Sequence, residues 1–468
     1  VNYSPLDAEK VIGHKVEDSQ TDIIVTLDLT VLYPQIDKML DQTRLQKIVI
    51  GNMAEMSAQP EATVAYLKQA GMLAEVGFDA QHIAFATLLD NDGVYHAHPI
   101  GDPAKALAVL QYTGGTTGLP KGAMLTHGNL TAATAQFLTT TAGDPPILRE
   151  GQERVLAVLP LFHIYALTVN MMFGLRMGAE LVLHTKFELD AVIRDIVAQK
   201  ITMFPGVPSM YTAIISHPDI ATHDLSSLKY CGSGGAPLPA EVNQQFRKMT
   251  GCSLLEGWGM TETSATGTFT PARGMQKIGS CGMPLPGVSI RLADVDDPSK
   301  TVAQGEPGEL CIKGPNVMTG YWNKPQATAD SMTHDGFFRT GDVATMDSDG
   351  YIQIVDRTKD MILCGGFNVY PRIIEEAIYE HPSVSEVTVI GIHDAYRGES
   401  PKAFITLKKD AVAFTLDELK TFLKPRLGKH EMVQAMDIRA VLPKTPVGKL
   451  SKKELYDEEE KKLVESKR

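Results

Sequence analysis

Between Thr113 and Lys121 the chain reads Thr-Gly-Gly-Thr-Thr-Gly-Leu-Pro-Lys, a spacing that can hold a polyanion. Glycines let consecutive backbone N–H groups turn inward, and Thr113, Thr116, Thr117 and Lys121 add three hydroxyl donors and one positive charge. The apolar run from Ala106 to Gln111 ahead of it predicts a strand, so the loop would sit at a strand end. A Walker A loop needs Gly-Lys followed by Ser or Thr; here Pro120 precedes Lys121 and Gly122 follows it, which excludes that class. The plain alternative for such a segment is a surface turn rich in Gly and Thr.

Six further clusters follow in order: Leu159-Pro160-Leu161-Phe162-His163, Gly232-Ser233-Gly234-Gly235-Ala236-Pro237-Leu238, and Glu256-Gly257-Trp258-Gly259-Met260-Thr261-Glu262-Thr263. Then come Phe338-Arg339-Thr340-Gly341-Asp342, Asp356-Arg357-Thr358-Lys359-Asp360 and Pro443-Lys444-Thr445-Pro446-Val447-Gly448-Lys449-Leu450. Together with the first loop they resemble the motif set of the adenylate-forming superfamily, which joins acyl-CoA synthetases, luciferases and the adenylation domains of peptide synthetases. The resemblance runs along nearly the whole chain and is strongest to bacterial long- or medium-chain fatty-acid-CoA ligases. The opening Val1-Asn2-Tyr3-Ser4 resembles an interior strand and loop of that family, so a first subdomain is expected to be missing ahead of residue 1.

Composition narrows the class without deciding it. The 468 residues are 43% hydrophobic with a net charge of −12, an ordinary globular balance with length for two or more domains. The acidic balance and the absence of a basic stripe argue against nucleic acid as a partner. The five cysteines, Cys231, Cys252, Cys281, Cys311 and Cys364, show neither CxxC nor Cys/His spacing, which suggests neither a disulfide framework nor a zinc site and fits a cytoplasmic protein.

The elements that must position these clusters alternate. Strands are expected at Asp22 to Leu27, Val155 to Leu159, Glu180 to Leu183 and Ile201 to Phe204, with amphipathic helices at Glu188 to Gln199 and Ala240 to Met249. Such alternation predicts an α/β fold with parallel sheets covered by helices. After Gly287, close-spaced strands at Val288 to Leu292, Glu309 to Lys313, Gly341 to Met346 and Tyr351 to Val355 predict an antiparallel or β-barrel-like subdomain. A small α+β unit follows, with helices at Pro371 to Glu380 and Thr415 to Lys424. We therefore expect a large N-terminal domain over 1–357 and a small, mobile C-terminal domain over 358–468.

The resemblance implies a role for each cluster. Thr113, Gly115, Thr116, Thr117, Gly118 and Lys121 would grip the β- and γ-phosphates of ATP. Glu262 would ligate Mg2+, with Thr113 sharing the ion, since a hard cation bridging phosphates favours oxygen donors; Thr261 would reach the α-phosphate. Gly234, Gly235, Ala236, Glu256 and Gly257 would lie along adenine, with Trp258 stacking on it. Many relatives carry Tyr at that position, so loss of a hydroxyl contact is expected. Asp342 would accept from both ribose hydroxyls, with Arg357 beside it. Lys449 would bridge substrate carboxylate and phosphate oxygens as a point charge. His163 would border the acyl pocket and orient the acyl carbonyl, although a histidine in so apolar a run is also an ordinary packed residue. Segments 162–174 and 204–215 suit an aliphatic tail by composition, although Met and aromatic stripes also build cores.

The implied reaction is ATP-dependent activation of a fatty acid to acyl-AMP with release of pyrophosphate, then transfer to coenzyme A. An aryl- or dicarboxylate-CoA ligase, an acyl-AMP ligase that loads a carrier protein, and a catalytically silent nucleotide-binding paralogue stay open. A lipid substrate makes weak peripheral association with a membrane an expectation, although no amphipathic anchor stands out. By the same resemblance Lys359 is the hinge about which the small domain turns, bringing Gly365 and Gly366 to the pantetheine entry. Lys359→Pro is then expected to keep acyl-adenylate formation and lose thioester formation, measured by pyrophosphate exchange beside acyl-CoA release; full thioester formation would refute the hinge.

Overall fold

Short runs of Ile and Val between polar turns build the first of two compact units, residues 1–131 with 318–328. The structure is a computed structural model that describes residues 1–4, 7–55, 57–113, 119–365, 367–444 and 450–466. Of the residues singled out above, Gly115, Thr116, Thr117, Gly118, Gly366 and Lys449 lie outside the described residues. Strands β1 (Ile23–Leu27), β2 (Lys47–Gly51) and β3 (His82–Ala84) form a parallel sheet in that order. The helix Glu9–Ser19 lays Ile12 and Val16, one turn apart, into a core with Ile24, Ile48 and Ile50. Strands β4 (Leu107–Tyr112) and β5 (Gly122–Thr126) pair antiparallel as the two arms of a hairpin, with Tyr112 opposite Gly122.

The second unit comprises residues 132–317 and 329–468. Its largest sheet contains β6 (Arg154–Ala157), β7 (Glu180–Leu183), β8 (Met203–Gly206), β9 (Tyr230–Ser233), β10 (Leu254–Trp258), β11 (Thr268–Phe269) and β12 (Met283–Pro284), ordered β12-β11-β10-β9-β8-β6-β7. From β10 to β7 the strands are parallel, and every residue of β8 and β9 is buried, as a sheet covered on both faces requires. One face meets the helices Leu189–Ala198, Pro208–Ile215 and Ala240–Thr250 through Val192, Ile196, Tyr211, Ile214 and Phe246. On the other, Phe137 meets Phe173, Tyr230 and Phe269 edge-on, with ring centroids 5.0, 5.9 and 5.4 Å apart.

The region after Gly287 folds as an antiparallel sheet of β13 (Ser289–Ala293), β14 (Gly308–Lys313), β15 (Phe338–Met346) and β16 (Ile352–Arg357), in sequence order. Last come β17 (Ile362–Cys364), β18 (Phe367–Val369), β19 (Val384–Asp394), β20 (Gly398–Leu407) and β21 (Ala435–Ile438), packed against the helices Pro371–Tyr379 and Leu416–Leu423 around Ile374, Ile378, Val387, Ile405, Leu419 and Leu423. Thr415 and Glu418 close a capping box at the start of the latter helix. Among the described residues no helix is long and apolar enough to cross a membrane.

One buried hydroxyl ties this scaffold to the loops it carries. Tyr211 Oη lies 2.6 Å from Phe204 O and 2.8 Å from Gly232 O, joining β8 to β9 just before the Gly234-Gly235-Ala236 loop. Tyr211→Phe keeps the ring packing and removes the hydroxyl that bridges the two carbonyls, so it is expected to lower stability by about 1 kcal/mol, read as a reduced urea midpoint at unchanged slope.

Candidate active site

A β-bulge sets the position of Asp342. Between β14 and β15, Cys311 pairs with Arg339 but Glu309 pairs with Val343, so residues 340–342 swell out of the ladder. Gly341 takes φ 72°, a left-handed value that glycine adopts without strain, and its N–H donates to Glu309 Oε1 at 3.2 Å. The other Glu309 oxygen pairs with Arg339 at 2.7 Å, and the Thr340 hydroxyl donates to Leu310 O at 2.7 Å. The motif Phe338 to Asp342 is therefore a rigid, fully bonded bulge that projects one carboxylate.

That carboxylate is 4% exposed and held from two sides. Arg357, its register partner on β16, places Nε 2.9 Å from Oδ1, and the Trp258 indole N–H donates to Oδ2 at 2.8 Å. Asp342, and with it Asp360 and Glu262, hold the Arg357 guanidinium above its ordinary pKa against the opposing effect of burial. Each Asp342 oxygen retains a lone pair, enough to accept one hydroxyl apiece from a vicinal diol. The polar contact from Trp258 was not anticipated from the sequence, which implied stacking alone. An indole carries a donor as well as a π-face, and only the fold shows where that donor points.

Glu262 stands on the short 3-10 turn Thr261–Thr263 and is 6% exposed. The turn is fixed by a reciprocal pair in which Met260 N–H donates to Thr263 Oγ1 at 3.0 Å and Thr263 N–H donates to Met260 O at 3.1 Å. Gly259 is obligatory just before it: a Cβ there would meet Ala265 O at 2.1 Å. Among the described residues no group of three His, Cys, Asp or Glu could hold a metal, so a cation at Glu262 needs further oxygens from a bound phosphate or water. A buried hard-oxygen donor fits Mg2+, and an ion bound there would neutralise phosphate charge.

The room that Gly234 leaves is filled from one side by Tyr165, whose ring would stand 3.2 Å from a Cβ at that position and whose hydroxyl donates to Gly232 O at 3.3 Å. Gly235 has φ 79°, and Ala236 follows it ahead of the helix Ala240–Thr250. Two residues before Trp258 on β10, Glu256 contributes to a small cavity of about 90 Å3 lined also by Asn243, Arg247, Lys277 and Ser280. Its Oε1 accepts the Leu238 N–H at 3.4 Å, and burial pushes its carboxyl up to about 8. Gly257 lies between these two residues on β10.

His163 accepts the Tyr165 N–H at Nδ1, 3.2 Å away, which places the proton of the neutral ring on Nε2. It precedes an uncommon element, a π-helix over Ala166–Met172. Much of the segment read from composition as tail-lining packs inward: Ala166 joins Leu159 and Val207, while Val169 and Phe173 join the aromatic core. Burial lowers the pKa of the Lys359 ammonium, and Gly365, at φ 61°, donates its N–H to Arg397 O at 2.8 Å.

In the first unit, Thr113 and Lys121 close the neck of the hairpin: Thr113 N–H donates to Lys121 O at 2.9 Å and Lys121 N–H to Thr113 Oγ1 at 3.4 Å. The Lys121 ammonium stands 4.2 Å from the centre of the Tyr321 ring. Two residues that the sequence reading passed over brace this neck from the helix Glu9–Ser19. His14 Nε2 donates to Pro120 O at 3.0 Å, and Asp18 accepts from the Tyr112 hydroxyl at 2.7 Å. Their i, i+4 spacing was the available signal. Glu309 was also passed over, though a lone charge inside Gly308-Glu309-Leu310-Cys311-Ile312 marked it.

A family model described as AMP-binding enzyme matches residues 2–322, and one described as AMP-binding enzyme C-terminal domain matches residues 373–449. The chain belongs to the AMP-binding enzyme family. It is 40% identical to a long-chain-fatty-acid–CoA ligase of Bacillus subtilis (strain 168), over 98% of this chain and 81% of that protein. It is 41% identical to a feruloyl-CoA synthase of an Amycolatopsis species, over 75% of this chain and 69% of that one. The solved structure of ATP-bound MatB from Rhodopseudomonas palustris matches it with a TM-score of 0.77 at 28% identity, covering 96% of this chain and 91% of the other.

The Glu256 carboxyl yields a pH test. Its value rises from 4.5 to about 8 on folding, so the folded chain keeps a proton that the unfolded chain releases in that window. Stability from this group is therefore greatest below pH 4.5 and falls as pH rises toward 8. Glu256→Gln is expected to flatten that slope, with its melting temperature gaining on wild type from pH 5 to above pH 8 in a calorimetric series.

Proposed function

We propose that the chain is an ATP-dependent fatty-acid–CoA ligase that forms acyl-AMP and pyrophosphate, then passes the acyl group to coenzyme A. The observation that carries this reading is the buried Asp342 carboxylate, held by Trp258 and Arg357 with Glu262 in electrostatic reach of the same guanidinium. Relatives named long-chain-fatty-acid–CoA ligases, 36–40% identical over 98% of the chain, support the choice of acid.

Attack of a carboxylate on the α-phosphorus brings negative charges together, so the site must first neutralise and orient them. Asp342 takes the ribose hydroxyls, which fixes the nucleoside. Trp258 offers its ring to adenine while its N–H holds Asp342. Gly234, Gly235, Ala236, Glu256 and Gly257 lie along the base. Glu262, with Thr113, would hold Mg2+, which when bound would supply charge neutralisation at the phosphates, and Thr261 would meet the α-phosphate. Thr116, Thr117, Gly115, Gly118 and Lys121 bind the leaving pyrophosphate. Lys449 bridges the acid and phosphate oxygens during adenylation, and His163 orients the acyl carbonyl for the thiol. The division at 357/358, with Lys359 as its hinge and Gly365 and Gly366 serving the second half-reaction, belongs to the same reading. So do a cytoplasmic location and weak contact with the inner face of a membrane.

The deciding experiment is acid-dependent exchange of labelled pyrophosphate into ATP across acetate, octanoate, palmitate, ferulate and a dicarboxylate, with and without CoA. Exchange with octanoate or palmitate is expected, with Lys449→Ala lowering the rate by at least about a hundredfold. A preference for ferulate would move the assignment to aryl acids. No exchange with any acid would overturn the enzyme reading in favour of a silent nucleotide-binding paralogue.

A further inference from the structure

The backbone just after Glu262 is strained, and a buried polar network holds it there. Ser264 and Ala265 both adopt left-handed conformations, φ 53° and 75°, which non-glycine residues keep only where the surroundings impose them. Asn316, fully buried, imposes this one. Its side-chain N–H groups donate to Thr263 O at 3.1 Å and Thr266 O at 2.5 Å, bridging the two ends of the left-handed pair. Its backbone carbonyl accepts the Ser264 hydroxyl at 2.9 Å.

Asn316 is in turn fixed by a relay whose orientation is unambiguous. Gln136 donates to Pro286 O at 2.9 Å and to Asn316 Oδ1 at 3.4 Å, and accepts the Thr266 hydroxyl at 3.2 Å. Carbonyls only accept, so neither amide can be flipped without losing its partners. A third support comes from the π-helix, where the Thr168 hydroxyl donates to Ser264 O at 3.0 Å. Together these side chains hold the backbone of residues 263–266, directly behind Thr261 and Glu262.

We propose that Asn316 is a positioning residue for the Thr261–Glu262 pair: by locking the left-handed turn behind it, Asn316 fixes the direction in which Glu262 presents its carboxylate to a phosphate-bound divalent cation. This inference rests on Glu262 being the metal ligand of the proposed reaction. A substitution that removes the amide lets Ser264 and Ala265 relax to ordinary backbone angles, swinging Glu262 while leaving the nucleoside contacts of Asp342 in place. Glycine at 265 tolerates the left-handed angle without help, so it should restore the turn when the amide is gone.

The test compares wild type, Asn316→Ala, Ala265→Gly, the double variant and the milder Thr168→Val. Two readouts are taken: Mg2+ dependence of pyrophosphate exchange at saturating ATP and acid, and Mn2+ binding in the presence of ATP by electron paramagnetic resonance. Asn316→Ala is expected to raise the half-saturating metal concentration roughly tenfold in both, with the KM for the acid within about twofold. The double variant should recover most of that loss, and Thr168→Val should shift in the same direction by less. An unchanged metal dependence in folded Asn316→Ala would overturn the proposal. So would a uniform loss of every parameter that Ala265→Gly fails to repair. If Asn316→Ala does not fold, Thr168→Val decides by the same criterion. A wild type that binds Mn2+ with ATP yet exchanges no pyrophosphate would refute the proposed reaction while the binding series still judges Asn316; no Mn2+ binding at all would overturn both.

Discussion

A buried carboxylate must find donors, and at Asp342 that requirement ties three strands of two sheets together. Leaving the group unpaired at 4% exposure would cost several kcal/mol, enough to drive the proton on or the residue out. The fold answers with Arg357 from β16 and Trp258 from β10. The bulge in β15 exists to bring the carboxylate to them, and Glu309 and Thr340 exist in their positions to hold the bulge. The antiparallel sheet and the large parallel sheet are thereby tied together at Asp342.

The same logic recurs one loop away with neutral groups. Around Glu262 the ordering is done by amides and hydroxyls drawn from the helix His127–Thr141, the π-helix and the segment before Met318. A polar core of this kind is useful only when every member is satisfied, because each orphaned group costs more than a satisfied one contributes. Here each named amide has its partners, so rigidity is obtained where backbone strain has to be sustained. The apolar cores on either face of the large sheet supply stability; the polar clusters supply direction.

Much of this was legible before folding. The α/β alternation, the antiparallel run after Gly287 and the final α+β unit correspond to the observed sheets, with most strand ends within two or three residues, because period and turn residues are local signals. Asp342, Arg357 and Glu262 were named from their clusters and lie in one electrostatic neighbourhood. Less visible were residues whose role is a contact across long sequence distance. Trp258 reaches Asp342 over 84 positions and Gln136 reaches Asn316 over 180, and no spacing rule spans such gaps. The π-helix was equally hidden, since Ala166–Met172 has the composition of any apolar helix.

What the sequence determined by itself was therefore chemical inventory and class: which carboxylates, amides, glycines and lysines are present, in which order, and that they resemble one family. Those features follow from residue type and local periodicity, which need no partner. Only the tertiary structure decided which donor faces which acceptor. It made Trp258 a hydrogen-bond donor to Asp342, put a carboxyl pushed up to about 8 at Glu256, and left Ser264 and Ala265 in strained backbone held by Asn316. The physical reason is that burial and directional bonding depend on distances between chain segments, and those distances are set when the sheets and helices pack.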